Sequence, residues 1–395
     1  MSNKIMQDKQ EAESESVQRR AMIRESVERF VKGDSHVRRF RGLRESTPGV
    51  DRQVWEQMAG LGWLGTMLPE QYGGLNMGSA EMAIIGEGAG KALLPEPITA
   101  GAVFAGGLIL YGDNEALKEM LLPAIGAGTL LPAVAWREDH GPLNLMRCDA
   151  RAEESSGKVR LLAKKCLVIA GVAADGFVVT AQLNEELAYY WVPANVLKSG
   201  LSHSFLPDGR SFSSLTLDGL QLSADNRLAG PKVARKAFNR AFDDALLITS
   251  AELLGCSSRL LDITVDYLKV RVQFGKPIGS FQALQHRAAD LYIQLRICRH
   301  SLEDILDHLE QPDVTDAQRS ALASRIKARC SDVGLAMGKD AVQMHGAMGY
   351  SDECDVGLYL KRIISLAMWL GNSDYHKKRY AKNAIPEIAA YYAKY

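Results

Sequence analysis

Two long stretches in which apolar residues recur at helix spacing, both in the C-terminal third, most constrain the fold of this 395-residue chain. In the first, apolar residues alternate steps of four and three, which marks one face of a helix: Leu284, Ala288, Leu291, Leu295, Cys298, Leu302, Ile305 and Leu309. Pro312 and Asp313 end this helix, and the same rhythm returns in Leu322, Ile326, Val333 and Met337. Long helices joined by short turns predict a helical bundle, which we place at residues 233–395.

The rest of the chain predicts two further domains, so the fold class is α+β and multidomain. Residues 129–232 hold short β-rich runs separated by turn residues, typical of a small β-barrel or sandwich. These runs are 133–136, 159–162, 166–169, 176–180, 187–192 and 214–222. Residues 1–128 form a helical N-terminal domain, because Trp55, Met58, Leu61 and Leu64 recur at helix spacing.

Composition narrows the classes of partner. Lys plus Arg and Asp plus Glu are both 47, so no net field favours nucleic acid or anionic membrane. The charged N-terminus lacks a signal-peptide core, and no apolar stretch is long enough to span a bilayer. The six cysteines show no C-x-x-C pair and no metal-like spacing with histidine. We therefore expect a cytoplasmic protein without a metal, a membrane span or a nucleic-acid partner.

Two C-terminal motifs hold residues suited to a dinucleotide. The first is Arg271-Val-Gln-Phe274-Gly275-Lys-Pro277-Ile278, in which a planar guanidinium suits a pyrophosphate and an aromatic ring suits an adenine. The second is Gln343-Met-His-Gly346-Ala347-Met-Gly349-Tyr350, in which small residues let the backbone approach a ligand. On spacing alone, a solvated arginine, a core phenylalanine and helix-ending glycines explain these residues more simply.

Together with Pro69-Glu-Gln-Tyr72-Gly73-Gly74-Leu75, these motifs resemble the acyl-CoA dehydrogenase family of flavoenzymes, and the resemblance covers nearly the whole chain. It implies an FAD cofactor, an acyl-CoA substrate, electron-transferring flavoprotein as electron acceptor, a tetramer, and a role in fatty acid or steroid side-chain catabolism. In the family, the motif residues contact FAD bound mainly by the neighbouring subunit. The expected FAD contacts here are Arg271, Phe274, Gln282, Gln343, Gly346, Ala347 and Asn372.

The resemblance fails at the catalytic base. The family's glutamate, in a Tyr-Glu-Gly-Thr motif, would fall at Leu370, within Trp369-Leu370-Gly371-Asn372. Some relatives carry the glutamate on an earlier helix, where this chain has Ala245. The neighbouring Asp244 is a weak candidate, because it points about 100° round the helix and its side chain is one methylene shorter. His345 and His376 are other possible bases, for which packing is the simpler interpretation.

A second group of departures falls in the β region. Where the family has a Lys-x-Trp-Ile-Thr strand whose Trp and Thr line the subunit's own flavin, this chain has Leu167 and Ile169. A nearby Thr-Glu-Pro-like stretch is also changed, with Leu143 within it. The chain keeps the residues that it would lend to a neighbour's FAD and has lost those that would hold its own.

These observations favour a subunit that pairs with a homologous, base-bearing chain for FAD-dependent α,β-dehydrogenation of an acyl-CoA thioester. One alternative is a self-sufficient homotetrameric dehydrogenase with a non-standard base. Another is a flavoprotein of the same fold with other chemistry, such as desulfination of a sulfinyl-acyl-CoA. A non-catalytic structural subunit is the third.

Overall fold

The N-terminal region is helical, with a loop between its third and fourth helices. The computed structural model describes residues 2–32, 35–139, 141–197 and 199–384, with side chains from residue 16 onward. Asp51 caps the third helix by accepting hydrogen bonds from the backbone amides of Gln53 and Val54. Trp55, Met58 and Leu64 are buried as predicted, whereas Leu61, just past the helix end, is exposed. The helices are α1 (Ser2–Phe30), α2 (Ser35–Leu43), α3 (Arg52–Gly60), α4 (Ser79–Lys91), a π-helical segment (Ile98–Ala105), α5 (Gly106–Tyr111) and α6 (Glu115–Gly126).

The middle region is one mixed, eight-stranded sheet. Its order is β6-β7-β3-β2-β4-β5-β8, and β1 pairs in parallel with β4. The runs at 159–162 and 166–169, predicted as separate strands, belong to the single strand β3. Lys164 and Lys165 separate the two runs in the sequence, but Lys165 is buried and pairs with Glu138 at 2.6 Å, so the strand continues through them. A bulge lies further on, between Lys165 and Val168. The strands are β1 (Pro132–Ala135), β2 (Arg151–Ser155), β3 (Lys158–Ile169), β4 (Gly176–Leu183), β5 (Glu186–Pro193), β6 (Leu201–Phe205), β7 (Ser211–Ser223) and β8 (Arg227–Ala229).

The C-terminal region is a bundle of long helices. The apolar stripe predicted for residues 284–309 is buried at its centre, from Leu291 to Ile305. A capping box at Thr315 and Gln318 begins the next helix, on which Ile326, Val333 and Met337 are buried. Residues 385–395, included in the predicted bundle, lie outside the described residues. The elements are α7 (Pro231–Val270), a short hairpin of β9 (Val272–Gln273) and β10 (Lys276–Pro277), α8 (Gln282–Leu309), α9 (Asp316–His345), α10 (Asp355–Met368) and α11 (Ser373–Ala384).

Glycines let α4 and α7 pack with their backbones in close contact. A Cβ added at Gly90 would lie 2.1 Å from the carbonyl oxygen of Glu252, and one at Gly255 would lie 2.0 Å from that of Glu87. No other residue fits at such positions, so the glycines set the distance between the two helices. The contact joins the N-terminal region to the bundle and fixes Glu252 near their boundary.

Arg362 on α10 ties all three regions together. Its guanidinium, which is fully buried, donates to Asp208 of the sheet region at 2.7 Å and to the carbonyl oxygens of Leu94 at 3.0 Å and Leu93 at 3.3 Å. Burial would raise the pKa of Asp208, but Arg210 and Arg362 hold it below its ordinary value. A helical N-terminal domain, a central sheet and a C-terminal helical bundle confirm the predicted fold class.

Within the described residues, no helix is long and apolar enough to cross a bilayer. The same residues contain no cluster of His, Cys, Asp and Glu that could hold a metal ion.

Candidate functional site

A cavity of about 220 Å³ lies where the three regions meet. Its wall is mostly apolar and draws on segments that are far apart in sequence. These are Ala89, residues 96–100, 136–137, Leu167 with Ile169, 206–207, Arg210, Glu252, 364–365 and 368–370. A concave, largely apolar cavity with a few polar side chains is the usual form of a small-molecule site.

Leu370, at the position of the family's glutamate, is buried and lines this cavity. Its φ of 60° is in the left-handed region, which costs a leucine about 1–3 kcal/mol. The side chains of Lys327 and His376 hold the turn that contains Leu370. Lys327 donates to the carbonyl oxygens of Ala367 and Gly371, both at 3.1 Å, and His376 Nε2 lies 3.0 Å from the carbonyl oxygen of Leu370.

The groups that hold this turn are themselves buried. Burial lowers the pKa of Lys327 to about 7. Burial, with Lys327 and Arg379 nearby, also lowers the pKa of His376 well below its ordinary value. Buried polar side chains therefore hold the turn at the position of the family's base, although residue 370 itself is apolar.

The positions of the expected flavin-holding tryptophan and threonine also lie in the cavity wall. Leu167 and Ile169 both line it, and Leu167 is the bulged residue of β3 with a φ of 53°. Two strained leucines, at 167 and 370, thus share one wall. Their side chains offer neither a ring to stack nor a hydroxyl to hydrogen-bond.

Two carboxylates line the cavity, and arginines neutralise both. Glu96 accepts two hydrogen bonds from Arg39, at 2.6 and 2.8 Å. Glu252 lies 3.4 Å from Arg362 and 3.9 Å from Arg210. Of the two, Glu252 has the longer contacts. It was missed in the sequence, although it lies seven residues, or two helical turns, beyond Ala245 on the same face of α7.

Asp244 does not line the cavity. Its carboxylate pairs with Arg319, accepts a hydrogen bond from Tyr111 at 2.7 Å, and is buried. The neighbouring Asp243 pairs with Arg379 and Ser320, and burial raises its pKa. Both aspartates therefore link helices, and Asp244 is poorly placed to act as a base at residue 370.

The other FAD candidates lie on the protein surface, at one end of the bundle. Arg271 directly follows α7, Phe274 is 90% exposed at the tip of the β9–β10 hairpin, and Gln282 begins α8. Gln343 is in the last turn of α9, and Gly346 and Ala347 follow in an exposed turn. We call Arg271, Phe274, Gln282, Gln343, Gly346 and Ala347 the motif surface.

Tyr267 and His345 hold the two motifs together. Their rings stack with centroids 4.3 Å apart, and the Tyr267 hydroxyl donates to the carbonyl oxygen of His345 at 3.3 Å. Tyr267 is one turn before Arg271, and His345 directly precedes Gly346. Burial lowers the pKa of His345, and its Nδ1 lies 2.8 Å from the carbonyl oxygen of Ala341. This histidine therefore joins helix ends and does not line the cavity.

The backbone at Gly346 is open to a ligand. Its φ is 61°, and no atom lies within 4 Å of a Cβ built there, so its peptide can be approached closely. An exposed guanidinium, an exposed ring and this glycine fit the requirements of a dinucleotide. Asn372 lies elsewhere, just past Leu370, where its side-chain oxygen caps α11 by accepting from the amide of Tyr375 at 2.9 Å.

Comparison with known proteins identifies the family. The acyl-CoA dehydrogenase N-terminal domain matches residues 18–129, and the C-terminal domain of the same family matches residues 235–385. The chain belongs to the acyl-CoA dehydrogenase family. This family consists of FAD-dependent oxidoreductases that act on CH–CH groups.

Individual relatives cover nearly the full chain. It is 29% identical over 354 residues to acyl-CoA dehydrogenase IpdE2 of Mycolicibacterium smegmatis, covering 89% of this chain and 94% of that one. It is similar to a solved steroid ACAD variant, Tcur3481-Tcur3483, with a TM-score of 0.81, 26% identity, and coverage of 95% and 99%. A glutaryl-CoA dehydrogenase from Mycobacterium smegmatis, solved with FADH2, shares the fold with a TM-score of 0.84 at 18% identity, covering 93% and 94%.

Proposed function

We propose that this chain is one subunit of a heteromeric acyl-CoA dehydrogenase, in which a homologous partner chain carries the base. The reaction is α,β-dehydrogenation of an acyl-CoA thioester. The observation that carries the proposal is the composition of the cavity wall. Leu370 replaces the base, and the carboxylates of Glu96 and Glu252 are paired with arginines. Abstraction of an α-proton needs a carboxylate that can reach the substrate.

The motif surface gives this subunit its role. FAD, when bound, supplies the acceptor for the hydride that leaves the β-carbon. In this proposal Arg271 donates to the pyrophosphate, Phe274 packs beside the adenine, and Gly346 and Ala347 let the backbone approach. Gln282 and Gln343 add hydrogen bonds. Because these residues do not line the cavity of their own chain, we assign the FAD that they hold to the partner.

The relatives support a paired assembly and suggest a substrate class. The similar steroid ACAD carries a name that joins two components, Tcur3481 and Tcur3483. We extend this to a steroid side chain or another bulky acyl group as the substrate here. Electron-transferring flavoprotein is the proposed acceptor, and the cytoplasm the proposed location.

Flavin content tests the proposal directly. The chain is expressed alone and together with a homologous chain that has the Tyr-Glu-Gly-Thr motif, and FAD per subunit is measured by absorbance. Alone, it should bind well below one equivalent, because the changes at Leu143, Leu167 and Ile169 each remove roughly 1 kcal/mol of contact. Together these losses lower the affinity by about two orders of magnitude. A homomer with stoichiometric FAD and dehydrogenase activity would overturn the proposal.

A self-sufficient enzyme is the second candidate, and Glu252 is the observation that favours it. This carboxylate lines the same cavity as Leu370, whereas Asp244 does not. The contact with Arg362, at 3.4 Å, holds this carboxylate at the cavity wall. Activity of the chain alone that is abolished in Glu252→Gln and retained in Asp244→Asn would establish this reading.

A further inference from the structure

The cavity lined by Leu370 is open, although its wall has leucine and isoleucine where the family has a glutamate, a tryptophan and a threonine. Its volume of about 220 Å³ exceeds the ~150 Å³ of an engineered apolar cavity that holds benzene. Leu167, Ile169 and Leu370 line the cavity without filling it. The cavity therefore has room for a small organic group.

Ser365 places an unsatisfied hydroxyl in this wall. It lies on α10, is 6% exposed, and its Oγ has no hydrogen-bond partner among the residues that the structure describes. Among the buried polar atoms of the described residues that lack a partner, this is the one that belongs to a cavity-lining residue. Buried hydroxyls are nearly always hydrogen-bonded, so its missing partner points to a ligand.

The charged groups of the wall already have partners. Glu96 binds Arg39, Glu252 contacts Arg362, and Arg210 donates to Asp208 at 2.7 Å. Arg137, which is half-buried, donates to the backbone carbonyl oxygens of Asp139, at 2.8 Å, and of Gly141. A charged ligand group would have to displace one of these contacts, and breaking a buried pair is costly. The wall therefore fits an uncharged ligand with an apolar body.

We propose that this cavity binds a small alicyclic or branched aliphatic group that carries one hydroxyl or carbonyl, hydrogen-bonded to Ser365 Oγ. A serine hydroxyl both donates and accepts, so either group satisfies it. The ligand is bound without reaction. The inference rests on the proposed function, in which dehydrogenation takes place at the partner's flavin. The group can be a free alcohol or ketone, or the acyl part of a thioester.

Binding of small probes to the purified chain and to the assembled complex tests this. Calorimetry compares cyclohexanol and cyclohexanone with methylcyclohexane, which matches them in size but has no polar atom. We expect both polar probes to bind about tenfold more tightly, the effect of one satisfied hydrogen bond. Cyclohexanecarbonyl-CoA and 4-hydroxycyclohexanecarbonyl-CoA form the second arm. Preference for the hydroxylated thioester over free cyclohexanol identifies the thioester as the source.

Ser365→Ala separates recognition from packing. This variant should bind the three free probes equally and lose the tenfold preference, while methylcyclohexane binding is unchanged. Ser213→Ala is the matched control, since Ser213 Oγ is also buried and unpartnered but does not line the cavity. Ala100→Phe, which adds a ring to the wall, should abolish binding of every probe.

Three results would overturn the inference: no binding of any probe, equal binding of polar and apolar probes, or an unchanged preference in Ser365→Ala. Each leaves the flavin content of the complex untouched, so the proposed function would survive. Competition of FAD with cyclohexanol on the chain alone would instead show that the chain holds its own flavin. That result would defeat the proposed function as well.

Discussion

The motif surface and the cavity differ in what their residues can still do. The motif surface is exposed and offers a guanidinium, an aromatic ring and an open glycine backbone. The cavity wall is mostly apolar, and leucine or isoleucine occupies the places where the family has a base, a stacking ring and a hydroxyl. Buried hydrogen bonds from Lys327 nevertheless hold the backbone around residue 370.

This difference shows that one chain can hold the backbone around a cavity in place while lacking, in that cavity, the side chains suited to flavin. The backbone around the cavity is also the junction of the three regions, so disrupting it would lower the free energy of unfolding. The side chains at 167, 169 and 370 are apolar and make none of the hydrogen bonds that hold this junction. The motif surface, by contrast, contributes little to stability and is best explained by a ligand. The predictions below test this division.

Arg362→Met should have the largest effect, on the cavity side. It leaves Asp208 and Glu252 as buried carboxylates with fewer partners, which costs about 3–5 kcal/mol of unfolding free energy. Urea unfolding measures this loss. Arg299→Met, which breaks the less buried pair with Glu87, is the control and should cost less. Equal losses in the two variants would mean that the three-region junction has no special role.

Leu370→Glu comes next and tests whether only the base is missing. We expect a loss of about 2–3 kcal/mol, because a carboxylate enters a buried, apolar position. Leu370→Gln, of similar size but uncharged, isolates the cost of the charge. The chain alone should show no acyl-CoA-dependent bleaching of flavin, since Leu167 and Ile169 leave no held flavin beside residue 370. Measurable dehydrogenation by Leu370→Glu alone would contradict the partner model.

Arg271→Ala should act only on the motif-surface side. Loss of a charge-assisted contact should weaken FAD binding to the assembled complex by about 1.5–3 kcal/mol. Urea unfolding of the chain alone should be unchanged, because Arg271 is exposed. Arg38→Ala is the control, because Arg38 is also an exposed arginine but lies on α2, outside the motif surface. Unchanged flavin retention in Arg271→Ala would remove the motif surface from the FAD site.

Lys327 gives the most specific effect, through pH, and its change per pH unit is the smallest of the four. Burial lowers its pKa from about 10.5 to about 7, so between these values the unfolded chain binds more protons than the folded one. Stability relative to Lys327→Met should therefore rise from pH 7 towards pH 10, by at most about 1.4 kcal/mol per pH unit. Urea unfolding at several pH values measures the slope. A slope equal to that of Lys327→Met would show that the buried amine is not the cause.

The long helices and most strands could be predicted because their patterns are local. The stripe from Leu291 to Ile305 is buried because a 3.6-residue period puts those side chains on one face. Strand β3 was predicted in two pieces, because Lys164 and Lys165 interrupt its apolar pattern. Lys165 is nevertheless buried, because Glu138, which is 27 residues away, pairs with it at 2.6 Å, and no local pattern reveals such a partner.

The candidate site was less predictable, because it depends on contacts between distant residues. Asp244 looked like a possible base from its position beside Ala245. Its partner Arg319 is 75 residues away, and only the packing of α7 against α9 brings them together. Glu252 and Ser365 fit no motif, so their place in the cavity wall could not be read from the sequence.

The sequence by itself determined the family, the motif residues and the leucine at the position of the base, because each is encoded in a short, ordered run of residues. Tertiary structure decided which polar groups meet and which remain unpaired. It paired Asp244 with Arg319, brought Glu252 to within 3.4 Å of Arg362, and left Ser365 Oγ without a partner. The physical reason is that the energy of a buried polar group depends on its neighbours in space, and folding brings these neighbours from all three regions of the chain.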